Sequence, residues 1–122
     1  MTKENRLRKR TQIVIHALKN DIDSNPLKCK KVSDIASEAG IGKKRLEAGF
    51  KLLFAITIKQ YQILRRLEAS QQLLDEGAHT IQEIAYKIGY EQPNSFTKAF
   101  KKLYGTTPTD WQNRTGQIQD PQ

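Results

Sequence analysis

The chain lacks the features that mark secreted, membrane-spanning and catalytic proteins. Its single cysteine, Cys29, cannot form a disulfide within the chain, which favours a reducing cytoplasm. No run of about 18 apolar residues is present, so the sequence predicts no membrane-spanning helix. His16 and His79 have no further ligand residues nearby, and there is neither a Ser-His-Asp set nor a Gly-rich phosphate loop. We therefore expect a cytoplasmic protein that is not an enzyme and needs no metal or cofactor.

Strand patterns are missing as well, because no stretch alternates β-branched and polar residues. The apolar residues recur instead at helical spacing, which predicts an all-α fold of seven helices. One helix should begin behind a capping box made by Thr80 and Glu83, whereas Lys31, at the matching earlier place, cannot cap a helix. The predicted helices cover about 5–24, 33–39, 43–54, 57–75, 81–87, 93–103 and a short segment from Pro108 to Trp111.

An internal repeat is the most informative feature that is present. The apolar and glycine positions of residues 32–61 recur in residues 81–111, at an offset of 49 before the turn and 50 after it. Each copy reads as a short helix, a glycine-containing turn and a second helix with a basic outer side, which is typical of a helix-turn-helix unit. The expected domains are residues 1–56 with the first helix-turn-helix, a linker helix at 57–76, the second helix-turn-helix at 77–115 and a flexible tail at 116–122.

The charge of the chain favours a polyanionic partner. Its net charge is +8 and its isoelectric point about 9.7. Residues 1–31 carry most of this excess, including Lys28, Lys30 and Lys31, whereas the repeats must place their charge locally. A basic surface that only keeps the domain in solution is the alternative interpretation.

The second helix of each copy has an inner and an outer side. Its inner side carries apolar residues at helical spacing, namely Leu46, Phe50 and Leu53 in the first copy and Phe96, Phe100 and Leu103 in the second. A lone charged outer side would usually be a solvated face, but two such faces at equivalent places favour recognition of base edges in DNA. These outer residues are Lys43, Lys44, Glu47, Ala48 and Lys51, and then Asn94, Ser95, Thr97, Lys98, Lys101 and Lys102.

The predicted linker helix has a length that suits two readers on one DNA duplex. Nineteen residues from Thr57 to Asp75 span about 28 Å at roughly 1.5 Å per residue. Major grooves on one face of B-DNA recur every ~34 Å. We therefore expect one monomeric chain to read two adjacent major grooves of double-stranded DNA, on a directional site without a palindrome.

Several motifs resemble the C-terminal signature of the AraC/XylS family of bacterial transcription regulators. The resemblance covers about residues 7–114, and it implies two helix-turn-helix units and DNA binding near promoters. The motifs are Ile84-Ala85, Ile88-Gly89-Tyr90, Pro93-Asn94-Ser95-Phe96 and the run from Phe100 to Trp111, with a weaker match at Arg66-Leu67-Glu68-Ala69. The base-facing positions that the resemblance implies are Lys43, Lys44, Glu47, Ala48, Gln92, Asn94, Ser95, Thr97 and Lys98.

This chain departs from the family pattern at three places. Ala48 stands where relatives often have arginine, which puts one base contact in doubt. Ala55 replaces the glycine usual after Phe54, so we expect a turn there that an alanine can adopt without strain. Gln112 follows Trp111 where an arginine is common, which puts one phosphate contact in doubt.

Taken together, the sequence predicts a sequence-specific DNA-binding transcription regulator. We expect an activator, as members that it resembles often are, with RNA polymerase as a second candidate partner. The alternative is a basic helical module that binds proteins or anionic membrane surfaces. It is disfavoured because the apolar faces are needed for two small cores. The chain is expected to be either the DNA-binding half of a longer regulator or a complete single-domain one.

Overall fold

The protein is described by a computed structural model that covers residues 8–28 and 30–119, the side chains of 115–119 excepted. Predictions that fall on residues 5–7, Cys29 and 120–122 lie outside the described residues. Within these ranges the chain forms seven α-helices and no β-strand, which confirms the predicted all-α fold. The helices are α1 (Lys9–Ser24), α2 (Val32–Ala39), α3 (Lys43–Phe54), α4 (Ile58–Glu76), α5 (Ile81–Lys87), α6 (Pro93–Tyr104) and α7 (Pro108–Gln119).

Helices α2 to α6 begin and end within one residue of their predicted positions, but the first and last helices differ. Arg8 is extended, so α1 begins later than predicted, and its buried stripe starts only at Thr11. The predicted end of the last helix at Trp111 is wrong, because α7 continues to Gln119. No proline interrupts residues 112–119, and a glycine such as Gly116 costs a helix interior only about 1 kcal/mol. The predicted flexibility of the tail stays a prediction.

The chain divides into two compact units, Met1–Arg65 (unit 1) and Arg66–Gln122 (unit 2), with the boundary inside α4. Unit 1 packs α1, α2, α3 and the start of α4 around one core. Unit 2 buries residues of α4 to α7 in the same manner. The core of unit 1 contains Ile15, Leu18, Ile22, Ala36, Leu46, Phe50 and Ile58. The buried residues of unit 2 include Leu67, Leu74, Ile84, Ala85, Ile88, Phe96, Phe100 and Pro108.

We call α3 and α6, the second helix of each helix-turn-helix, the recognition helices. Their phenylalanines are buried as predicted, but one predicted core residue is not. Phe50 and Phe100 are fully buried, and Leu53 packs half-buried against the core of unit 1. Leu103, the residue equivalent to Leu53, is 44% exposed, so its predicted inward position is wrong. The rings of Tyr104 and Trp111 lie 4.6 and 6.0 Å from the Phe100 ring and fill the space beside the last turn of α6.

The end of each recognition helix makes the same left-handed turn. Gly105 has φ +77°, and its amide donates to the Lys101 carbonyl at 2.8 Å. Ala55, at the equivalent place, has φ +61°, and its amide donates to the Lys51 carbonyl at 2.7 Å. The expectation of an Ala-compatible backbone is therefore wrong. The cap needs a left-handed residue, and an alanine adopts that conformation only with strain.

Each unit also joins its first and last helices through an aspartate and an aromatic side chain. The Tyr61 hydroxyl donates to the Asp23 carboxylate in unit 1. The Trp111 indole N–H donates to Asp75 at 3.1 Å in unit 2. Asp23 has additional partners, because Lys19 Nζ lies 3.1 Å and Arg65 Nε 3.2 Å from its carboxylate oxygens.

Candidate nucleic-acid interface

In both units a tight turn joins the first helix of the helix-turn-helix, α2 or α5, to the recognition helix, α3 or α6. The amides of Gly40 and Ile41 donate to carbonyls at the end of α2, at 3.2 and 3.0 Å. The amides of Gly89 and Tyr90 do the same at the end of α5, at 3.1 and 3.0 Å. Both glycines have positive φ, +69° and +96°, which is the conformation that this helix end requires. The turn thus fixes the direction in which α3 or α6 leaves.

An arginine from the helix before each helix-turn-helix, α1 in unit 1 and α4 in unit 2, lies near each of these turns. The Arg10 guanidinium donates from Nη2 to the Ala39 carbonyl at 2.7 Å, and a Cβ added at Gly40 would lie 3.3 Å from that nitrogen. The Arg66 guanidinium would lie 3.9 Å from a Cβ at Gly89. Neither contact was predicted, because nothing in a local pattern ties residue 10 to residue 39.

The first helix of each helix-turn-helix begins differently in the two units. Thr80 and Glu83 form the predicted capping box, with the Thr80 amide donating to the Glu83 carboxylate at 2.9 Å and the Glu83 amide donating to the Thr80 hydroxyl at 3.1 Å. The bond from the Thr80 amide, followed by the contact with its side chain, holds the pKa of Glu83 below its usual value. Lys31 makes no side-chain cap, as predicted, so α2 begins less firmly held.

The predicted outer residues of α3 lie on its solvent side. Lys43, Lys44, Glu47, Ala48 and Lys51 are all exposed. In the described part of the chain none of their side chains has a hydrogen bond or ion pair. Arg45, which the sequence reasoning left out, shares both properties. The offset of 50 already aligns it with Ser95, and that signal could have found it.

The outer side of α6 has a different chemistry. Gln92 is the N-cap residue, without a side-chain cap bond, and Pro93 occupies the first turn. Thr97 is half-buried. The other predicted residues are exposed, and across the described residues they too lack side-chain partners. These are Asn94, Ser95, Lys98 and Lys101.

The two faces differ in the charge of their first turns, whereas both carry a cation in the last turn, Lys51 in α3 and Lys101 and Lys102 in α6. Lys43, Lys44 and Arg45 stand in the first turn of α3, where the helix dipole opposes positive charge. Lys101 and Lys102 stand in the last turn of α6, where the dipole favours it. The first turn of α6 instead carries uncharged amide and hydroxyl groups. Both faces offer hydrogen-bond donors and acceptors of the kinds that pair with base edges and phosphates.

Neither a metal-binding cluster nor a membrane-spanning helix occurs in the described ranges. No group of three or more His, Cys, Asp or Glu residues is close enough together to hold a metal ion. None of the described helices is both long and apolar enough to cross a membrane.

Comparison with known proteins places this geometry in a family. A family profile described as a helix-turn-helix domain matches residues 35–114. A Chromobacterium violaceum regulator described as having an AraC-type DNA-binding domain has the same fold, with a TM-score of 0.75 at 21% identity over 88% of this chain and 96% of that one. The chain belongs to the AraC-type helix-turn-helix family. It is a DNA-binding domain of this type.

Two sequence relatives are longer than the chain. It is 32% identical to "Probable transcriptional regulator LumQ" of Photobacterium leiognathi, over 76% of this chain and 38% of that protein. It is 29% identical to the Msm operon regulatory protein of Streptococcus mutans, over 81% of this chain and 36% of that protein. The chain thus spans less than half the length of these two relatives.

Two further solved structures are similar to this chain. The DNA-binding domain of AdpA, solved in complex with a target DNA, has a TM-score of 0.76 at 18% identity, over 88% of this chain and 96% of that one. The structure of xylR, described as a xylose-binding transcription activator, has a TM-score of 0.62 at 28% identity, over 88% of this chain and 28% of that one.

Proposed function

We propose that this AraC-type domain reads a directional DNA site with α3 and α6, each in its own major groove. Equivalent outer faces of these two helices carry the proposal, because both present side chains that are free of partners in the described part of the chain. A solved relative of the same fold is in complex with a target DNA. α4 runs unbroken for 19 residues between the two helix-turn-helix segments, which suits two readers on one chain.

The roles of the residues follow from their side chains. Asn94 can pair bidentately with adenine, whereas the lysines contact guanine or phosphate as point charges. Ala48 offers only a methyl group, so it makes no hydrogen bond to a base. The remaining proposed contacts are Lys43, Lys44, Glu47, Lys51, Gln92, Ser95, Thr97, Lys98 and Lys101.

Selection of binding sites from random duplex DNA, followed by affinity measurements, tests this proposal. The selected site should cover about two helical turns, should not be palindromic, and should bind one chain. Asn94→Ala should weaken the selected site about 5- to 150-fold and random DNA little, if Asn94 reads a base. Lys101→Ala should weaken both alike if it contacts phosphate.

Three results would count against the proposal. Two chains bound to a palindromic site would refute the monomeric tandem reader. Equal losses on selected and random DNA for every variant would show that none of these residues reads a base. Binding to anionic vesicles at equal or higher affinity than to the selected duplex would favour the membrane-surface alternative.

We also propose that the domain activates transcription in the cytoplasm, with RNA polymerase as partner. The description of the related xylR as a transcription activator supports this direction of regulation. A reporter gene placed downstream of the selected site should rise when the chain is produced. Asn94→Ala should abolish the rise, and a fall in reporter output would instead indicate a repressor.

A further inference from the structure

Arg45 is an exposed residue of α3, and the repeat aligns it with Ser95 of unit 2. The buried residues of α3 are Leu46, Gly49 and Phe50. With about 100° per residue, the direction opposite to them falls between Lys44 and Ala48. Arg45 and Glu47 flank that direction, each about 75–85° from it. Arg45 therefore borders the outer face on one side, as Glu47, a residue already assigned to the face, does on the other.

Nothing in its own unit occupies the Arg45 side chain. It is exposed, and no hydrogen bond or ion pair engages it among the described residues. Helix neighbours three or four positions away are the ones that could pair with it, and they are Ile41, Gly42, Ala48 and Gly49. None of these four is acidic, so α3 itself leaves the guanidinium available.

The chemistry of this side chain differs from that of every other group on the two recognition helices. Arg45 is the single arginine in the sequences of α3 and α6. A guanidinium can donate two parallel hydrogen bonds to the O6 and N7 atoms of one guanine, which a lysine ammonium cannot match in geometry.

We propose that Arg45 is the guanine-reading residue of unit 1 and fixes one G·C pair in its half of the site. This assignment rests on the proposed function, in which α3 enters a major groove.

The test measures affinities of the full chain for the selected duplex and for duplexes in which each base pair of the half-site bound by unit 1 is changed in turn. The wild type should prefer G·C at one of these pairs by about 5- to 150-fold. Arg45→Lys and Arg45→Ala should each remove that preference while the preferences at the other pairs and the melting temperature stay unchanged. Arg45→Lys should leave binding to random DNA within about twofold, since it keeps the charge.

Two matched variants control the assignment. Ser95→Ala, at the equivalent place in unit 2, should leave the preference at the unit 1 pair intact. Lys59→Ala removes an exposed cation at the start of α4, outside both recognition helices, and should change no base preference.

The possible failures are distinguishable. If Arg45→Lys keeps every base preference of the wild type, Arg45 does not read guanine and the inference is overturned. Equal losses by Arg45→Ala on selected and random DNA would make it a phosphate contact and overturn the inference too. A wild type without any base preference would refute the proposed function together with it.

Discussion

Unit 1 and unit 2 share a buried phenylalanine, a turn and an aspartate contact at equivalent places, but different additional interactions stabilise each unit. Each buries a phenylalanine of its recognition helix, makes a left-handed turn after that helix, and ties an aspartate to an aromatic side chain. Unit 2 adds a capping box and a glycine at the turn, where unit 1 has Lys31 and Ala55. Unit 1 adds the two cations around Asp23.

This difference separates what the fold requires from what each unit can vary. Most buried positions, such as those of Phe50 and Phe100, and the turn conformations recur in both copies, because packing and backbone geometry depend on them. Helix caps and surface charges differ, because each contributes only about 1 kcal/mol or less. Unit 1 lacks the side-chain helix cap and the turn glycine that unit 2 has, and it carries more cations on its recognition helix. We therefore expect unit 1 to be the less stable unit.

The largest expected effect comes from truncating the buried phenylalanine in the core of either unit. Phe50→Ala or Phe100→Ala should cost about 3–5 kcal/mol and unfold its own unit, since small units have little stability in reserve. Trp111 is the single tryptophan and lies in unit 2, so its fluorescence reports that unit. Phe100→Ala should shift its emission under native conditions and Phe50→Ala should not. A normal melting curve for Phe100→Ala would contradict the burial assignment.

The second effect concerns the left-handed turn and should have opposite signs in the two units. Gly105→Ala should destabilise unit 2 by about 1 kcal/mol, because alanine is strained at positive φ. Apart from the neighbours in the chain, no atom of the described residues lies within 4 Å of a Cβ added there, so the cost is one of backbone conformation. Ala55→Gly should stabilise unit 1 by roughly 0.5–1 kcal/mol, after the greater freedom of glycine in the unfolded chain is subtracted.

Thermal melts and amide hydrogen exchange resolved by unit would measure both changes. If the two substitutions changed stability in the same direction, the turn would not be strained at Ala55. Such a result would remove one of the reasons for ranking unit 1 below unit 2.

The helices, cores and turns were predictable from sequence because they follow from local periodicity and from the repeat. The 3.6-residue spacing located α2 to α6, and the offset paired Phe50 with Phe100. The left-handed Ala55 was not predictable from its own preference, since the cap of α3 imposes that conformation. The exposure of Leu103 did not follow from its spacing, because the rings that pack against Phe100 there belong to Tyr104 and Trp111.

The candidate site was predictable only in part. Exposure on the outer faces followed from helical periodicity for all the predicted residues except the half-buried Thr97. Arg45 could have been found by the offset alone. The arginines that contact the turns, Arg10 and Arg66, could not, because tertiary packing brings them to residues far away in the chain.

The third effect concerns helix capping. Thr80→Ala should cost unit 2 about 1 kcal/mol, because it leaves the Glu83 amide without its hydroxyl acceptor. Lys31→Thr should stabilise unit 1 by a smaller amount, because it provides the missing hydrogen-bond acceptor at the start of α2. Lys31→Met, which removes the charge without adding an acceptor, is the control. A gain from Lys31→Met as large as that from Lys31→Thr would attribute the effect to charge, and the capping argument would then be wrong.

The smallest effect concerns pH and the cluster around Asp23. Burial opposes ionisation of the Asp23 carboxyl, but the Tyr61 hydrogen bond and the charges of Lys19 and Arg65 outweigh it, so its pKa is lowered. The hydrogen bond to Asp23 also raises the pKa of Lys19. The contribution of Asp23 to stability is therefore present above its unfolded pKa of about 4 and is lost as the pH falls through the lower folded value. That of Lys19 is lost only as the pH rises past about 10.5.

Amide hydrogen exchange of unit 1 at a series of pH values would measure this contribution, which we expect to be about 1 kcal/mol or less for a cluster that is still one-third exposed to water. Asp23→Asn should lower the stability of unit 1 near neutral pH and reduce its further loss below about pH 4. Tyr61→Phe should do the same in part, because it removes the hydroxyl that donates to the carboxylate. Asp75→Asn, at the matching contact of unit 2, should leave the pH dependence of unit 1 unchanged. An acid dependence of unit 1 that is as steep in Asp23→Asn as in the wild type would show that other carboxylates dominate it.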